Sequence, residues 1–171
     1  ALPSGSDPAA KGRKADWEPV GLSGGGAMFA PAISGADPKR MLVNCDMSAA
    51  YVSRDGGRSW AMIHHAQLGG NTRCRPAWHP KDANVVYAAN GYEGRLRVSR
   101  DAGATFTDLG DLAHLRGEIA LDPERPAFLL AGSDEEVWRS ADGGAQWERC
   151  EGPAGAAVGF AFGALGKGKR L

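Results

Sequence analysis

One eight-residue pattern is written three times. SRDGGRSW (53–60), SRDAGATF (99–106) and SADGGAQW (140–147) each fit Ser-x-Asp-x-Gly-x-x-aromatic without insertion. Asp55 and Asp101 are 46 residues apart, Asp101 and Asp142 are 41, and a fixed period of this size marks a chain built from repeated supersecondary units. A second landmark keeps step. SGADPKRMLVNCD, HPKDANVVYAAN and DPERPAFLLAG each set a Pro-containing turn before a short apolar run. In register, every unit holds four short segments: AMFAPAI, MLVNCD, AAYVSR and SWAMI; RPAWH, VVYAAN, RLRVSR and TFTDL; GEIAL, FLLAG, VWRS and QWERC. They are rich in β-branched or aromatic residues, roughly alternating, and bounded by Gly, Asp and Pro, which predicts strands.

Four strands per repeat of about 40–45 residues is one blade of a β-propeller. The expected fold is therefore all-β: four-stranded antiparallel blades at about 27–63, 75–109 and 117–150, with a fourth starting over 157–171 on the strand AVGFAFG. Residues 1–20 read as a leader or linker, with Lys11, Arg13 and Lys14 on a solvated tail, and 21–171 as a partial propeller. Propellers close with about four to eight blades, so the remainder of the ring, or further copies of the chain, are expected partners.

In each repeated turn the Asp side chain is expected to accept backbone N–H groups, and the Gly two residues on to supply a positive φ. The aromatic residue is expected two or three residues into the outer strand, packed beneath the turn. Ser53, Asp55, Gly57 and Trp60, Ser99, Asp101, Gly103 and Phe106, and Ser140, Asp142, Gly144 and Trp147 are thus read as structural, because a clip is needed once per blade and a catalytic group is not.

Twenty basic residues balance twenty acidic ones, so no net field draws the chain to nucleic acid or anionic lipid. No apolar run is long enough to cross a bilayer. Cys45, Cys74 and Cys150 make an odd count; a Cys45–Cys74 disulfide and two buried thiols are both consistent with it. The first residue is Ala1, as expected where a leader or upstream segment has been removed. A secreted or periplasmic setting is favoured, with compartment open. No metal-ligand spacing or cofactor fingerprint is present. GLSGG (21–25) matches a nucleophile elbow, but a strand and not a helix follows it. GALGKGKR (163–170) has Arg170 where a phosphate loop needs Ser or Thr.

The triple turn resembles the Asp-box (BNR) repeat of sialidases, the sortilin ectodomain, family 74 glycoside hydrolases that cut xyloglucan, and a photosystem II assembly factor. The resemblance covers about residues 27–165 and implies the propeller fold. NCDMSAAYVSRDGG also resembles the Thr-Asp-Val-Gly-Gly-Ala-Tyr-Arg segment of the family 74 enzymes, and SGGGAMFAPAI their Gly-rich lead-in to the first inner strand. Carried over, the family's general base falls on Asp46. Asn44-Cys45 and Ser48-Ala49 depart from the family pattern, and its general acid, in a second propeller domain, has no match here. Inverting hydrolysis uses two carboxyls about 6.5–9.5 Å apart.

A ligand site is expected on the face opposite the clips, where second-to-third strand turns and blade crossovers collect. Its candidates are Asp46 as catalytic base and Asn71, Arg73, Arg75, Asn90, Tyr92 and Arg116 as substrate-binding groups, with His64, His65, Glu93, His114, Asp134 and Glu135 on the same face. His64 and His65, placed at a strand end, are expected to point apart, and His79 to serve a turn. Two functions remain open: a glycoside-hydrolase-like propeller acting on a β-glucan or related polysaccharide, and a non-catalytic propeller scaffold for a protein or carbohydrate ligand. A sialidase would need several arginines on a carboxylate and a Tyr nucleophile; TRCRPAW matches that family's Arg motif only loosely, and this reading ranks below both.

Overall fold

The computed structural model describes residues 26–47, 49–152, 155–157, 159–165 and 169–170, without the side chains of 116–118, 164, 165, 169 and 170. The leader 1–20, the GLSGG segment, Ser48 and the turn 166–168 lie outside it.

Within it, three sheets repeat one plan. β1 (Met28–Ile33), β2 (Met41–Cys45), β3 (Ala50–Ser53) and β4 (Ala61–Met62) form an antiparallel meander in sequence order. β5 (Ala77–Trp78), β6 (Val86–Ala89), β7 (Leu96–Ser99) and β8 (Thr107–Asp108) repeat it, as do β9 (Leu115–Leu121), β10 (Leu129–Ser133), β11 (Val137–Ser140) and β12 (Glu148–Arg149). Registers coincide: Met41 pairs Ser53, Val86 pairs Ser99, Leu129 pairs Ser140. The chain is a partial all-β propeller of three blades, with the inner strands β1, β5 and β9 side by side.

Period-two alternation explains the stacking. In β6, Val86 and Ala88 face a core shared with the first blade (Leu42, Ala50, Val52, Ile63, Leu68, Phe106). Tyr87 and Ala89 face a second core shared with the third (Leu115, Ile119, Leu129, Ala131). Outer strands are only two residues long and exposed, which blunts the sheet edges. β5 is equally short, because Pro76 has no N–H to give to a ladder.

The repeated turn is a closed set of hydrogen bonds around a buried serine. Ser53 Oγ donates to Asp55 Oδ1 (2.9 Å) and accepts from Gly57 N–H (2.8 Å). Ser99 and Ser140 do the same with Asp101 and Gly103, and with Asp142 and Gly144, at 2.7–2.9 Å. The aspartate spans the rest of the turn, accepting the N–H of Ser59, Thr105 or Gln146 at 2.8–3.0 Å. Trp60 and Trp147 donate their indole N–H to Gly57 and Gly144 carbonyls, and Phe106 is buried in the same place. The aromatic residue precedes the outer strand instead of lying within it, since the turn's own bonds reach that far and ladder pairing begins only after them.

These clips also join blades. Arg54 Nε donates to Ala102 O of the next clip (3.3 Å), and Tyr87 Oη to Gly143 O of the one after (3.3 Å). Gly103 and Gly144 have φ of +81° and +93°, and a Cβ on either would fall 2.9 Å from Val52 Cγ2 or 2.7 Å from Leu109 Cδ2 of the preceding blade. Glycine is required both for conformation and for space.

Three expectations are corrected. Among the described residues, 157–163 contain no strand; the fourth element is a hairpin of β13 (Ala164–Leu165) and β14 (Lys169–Arg170). Ala157 and Phe160 still pack against Gly132, and Phe162 meets Phe128 edge-on, so the segment lies on the third blade but has no ladder partner there. β9 starts at Leu115 by pairing with Ser133, which puts Arg116 in an inner strand and not in the crossover. His64 and His65 fall in a turn after β4, where their rings stack at 4.5 Å instead of diverging.

Ser99→Ala removes the sole acceptor given to the buried Gly103 N–H, so it should lower stability by about 1–3 kcal/mol in urea titration, more than the same change at an exposed serine. The Ser59 hydroxyl and N–H hold Asp55 down from the ordinary 3.8 to about 2. For Asp101, burial pulls upward but the Thr105 bonds outweigh it, again to about 2. The folded value lies below the unfolded one, so the clips' contribution is complete above about pH 4 and lost as pH falls toward 2. Thermal melts should show that loss, reduced in Asp55→Asn and Asp101→Asn proteins.

Candidate functional site

On the face away from the clips, glycines let three segments approach closely. The crossover after β4 is anchored by fully buried Leu68 and Cys74. Gly70 lies against the Ala49–Ala50 backbone, where a Cβ would come within 2.5 Å, and Gly69 lies under the Tyr92 ring. Gly91 N–H donates to Gly69 O (2.9 Å), and Asn90 Oδ1 accepts Gly69 N–H (2.9 Å). Asn71 donates to Gly91 O and accepts Arg73 N–H (2.7 Å). Asn90 and Asn71 therefore hold backbone in place beside the site.

What they frame is a cleft of about 220 Å³ lined by Arg73, Gly91, Tyr92, Glu93, Gly94, His114 and Leu115. Its floor is closed by Leu115 N–H donating to Gly94 O (3.0 Å). Glu93 is oriented by Asn90 Nδ2 (3.2 Å) and faces the Arg97 guanidinium at 3.8 Å. Arg97, which the sequence reading passed over, also pairs with Asp108 (2.8 Å) and donates to the Ala66 and Gln67 carbonyls. It ties the middle blade to the crossover. Its mostly buried position beside a remote turn is invisible in RLRVSR.

A second cleft, of about 310 Å³, opens where the inner strands meet and is lined by Phe29, Ala30, Pro31, Thr72, Arg75, Pro76 and Ile119. Ala30, at φ +46°, sits at the register shift of β1, as expected of a bulge that re-aims neighbouring groups. Arg73 and Arg75 thus serve different clefts, separated by buried Cys74.

Asp46 follows β2 and lines neither cleft. Its Oδ1 accepts the Ala27 N–H (3.0 Å) at the lead-in to β1, and a Cβ on Gly26 would collide with it. The side chain is exposed, and no described residue donates to Oδ2. Arg116 is placed by its backbone alone. Asp134 and Glu135 are exposed on the third blade's corresponding turn. His79 Nδ1 accepts Lys81 N–H (3.2 Å) within its turn. Among the described residues no group of three or more His, Cys, Asp or Glu is placed to hold a metal ion. No helix among them is long and apolar enough to cross a membrane.

Among the described residues Cys45, Cys74 and Cys150 form no disulfide, and the first two are fully buried. Burial pushes the Cys74 thiol up to about 12, with Asn44 pulling only slightly the other way. Thiolate is the reactive form, so one thiol, Cys150, should react rapidly with Ellman's reagent in the native protein and three after denaturation. Fast reaction of two or more native thiols would contradict this burial.

No family model and no curated protein matches the chain. Solved structures do. An ancestral GH74 enzyme superposes at TM-score 0.63 and 18% identity, over 78% of this chain and 19% of that one. The GH74 xyloglucanase from Xanthomonas campestris does so at TM-score 0.56 and 27% identity, over 77% and 22%. YCF48 from Cyanidioschyzon merolae matches at TM-score 0.50 and 14% identity, over 76% and 41%. The chain spans about a fifth of the GH74 enzymes' length, and it is a partial β-propeller resembling them.

Proposed function

We propose that the chain is part of a glycoside-hydrolase-like propeller that acts on a β-glucan or related polysaccharide, with Asp46 as general base and the acid supplied from outside these three blades. The observation that carries this reading is the Asp46 carboxylate: exposed just after β2, held by one backbone N–H through Oδ1, with Oδ2 directed to no described donor. A base needs that combination of fixed orientation and an available oxygen. The fold shared with GH74 enzymes, one of them a xyloglucanase, supports polysaccharide as the substrate class. A second reading, a non-catalytic scaffold, is favoured by one feature: both described clefts are lined without Asp46.

Reducing-end release from xyloglucan and other β-glucans by the whole protein separates the two. Asp46→Asn should lower kcat about 100-fold or more, the usual size of a general-base contribution, with KM little changed. Undiminished hydrolysis removes Asp46 from catalysis. Polysaccharide binding without turnover in the unmutated protein favours the scaffold.

A further inference from the structure

The cleft of the middle blade matches its acid but leaves two nitrogen-bearing side chains unmatched. Its one carboxylate, Glu93, is matched by Asn90 and Arg97. Its two basic groups are not: neither the Arg73 guanidinium nor the His114 imidazole has a hydrogen bond or ion pair with any described residue, and both line the same opening. His114 has φ of +60°, in the left-handed region that an L residue seldom adopts, and the next residue, Leu115, donates its N–H to Gly94 O. Across the cleft stands Tyr92, 69% exposed, its ring resting edgewise over Gly69 with no partner for its hydroxyl. At about 220 Å³ the space is below the roughly 300–1,000 Å³ of pockets that take drug-sized molecules, and suits a single ring.

We propose that this cleft binds one acidic sugar residue, a hexuronate, of a polysaccharide chain. Tyr92 offers an amphipathic platform for the apolar face of the pyranose. Arg73 and His114 donate to its carboxylate, where charge-assisted bonds are strongest. Glu93, already oriented, accepts from ring hydroxyls. Gly91 and Gly94 let the Asn71 side chain and the Leu115 backbone close against the turn that carries Tyr92 and Glu93. This inference rests on the polysaccharide reading for its ligand class only. It makes no use of Asp46 or of turnover.

Titration calorimetry on the whole protein tests it with glucuronate- and galacturonate-containing oligosaccharides, their neutral glucose and galactose counterparts, and acetate. The acidic sugars should bind about ten-fold or more tightly than the neutral ones, and the preference should shrink as salt is raised. Arg73→Gln, at an exposed position, should abolish the preference while leaving the melting temperature unchanged. Tyr92→Ala should weaken both sugar classes. Equal binding of acidic and neutral sugars, no binding of either, a preference that survives Arg73→Gln, or acetate binding as well as the uronates would each overturn the proposal. Selective uronate binding with hydrolysis unaffected by Asp46→Asn would retain this site and discard the catalytic assignment. Asp46-dependent hydrolysis without uronate preference would do the reverse.

Discussion

Blades of two- to seven-residue strands leave little ladder to fix their geometry, so the stack depends on the serine hydroxyl buried at the foot of each outer hairpin. That oxygen donates to the aspartate and accepts the glycine N–H in all three copies. It uses both its donor and an acceptor site within one turn. An alanine or glycine there would leave a buried N–H unpaired, at a cost of about 1–3 kcal/mol. Because the clip is self-contained, its outer surface is free to present carbonyls to the preceding blade. Arg54 and Tyr87 take them at Ala102 and Gly143. Local turn chemistry thus becomes the connection between blades.

The same arithmetic explains the composition of the strands. A middle blade must be apolar on both faces, and VYAA of β6 divides evenly between two cores. Glycines then appear where one blade's backbone touches the next: Gly103 against Val52, Gly144 against Leu109, Gly132 against Ala157 and Phe160. Ala157, Phe160 and Phe162 meet the third blade through packing at Gly132 and Phe128. Packing selects position; only a hydrogen-bonded neighbour makes a strand.

That distinction also separates what could be read in the sequence from what could not. The clips were legible because every bond in them closes within eight residues, and the Pro-containing turns for the same reason. Strand identity in the three blades followed from alternation and punctuation. Strand ends did not: Arg116 was drawn into β9 by a partner eighteen residues away at Ser133 and Leu115, and the aromatic residues stopped short of the outer strands because the turn had already claimed the preceding amides. On the candidate face, Arg73 and Tyr92 were named from position alone, and they do share a cleft. Arg75, two residues from Arg73, belongs to another, since Cys74 between them is buried. Arg97 and the Gly69–Gly70 pair were missed because their roles exist only where distant segments cross.

The two ends of the blades therefore obey different rules. At the clip end, side chains are committed to the turn: the Ser and Asp of each copy bond within it, and Trp60 and Trp147 donate their indole N–H to it. At the other end, glycines and two asparagines do the holding, with Gly69, Gly70, Gly91 and Gly94 permitting contact and Asn71 and Asn90 bonding backbone. The larger side chains there are released from structural duty. Arg73, Tyr92 and His114 are exposed there, and their side-chain polar atoms bond to no described residue. Asp46 differs in kind. One of its oxygens is still occupied by the backbone of β1's lead-in, so its orientation follows the first blade, whereas the cleft beside Tyr92 is framed by the middle blade, its two crossovers and the first residue of β9. A ligand spanning both would be held at one point by a shape the three blades already complete and at the other by a single oriented carboxylate. On the proposed reading, binding selectivity and chemistry would therefore be separable on this face.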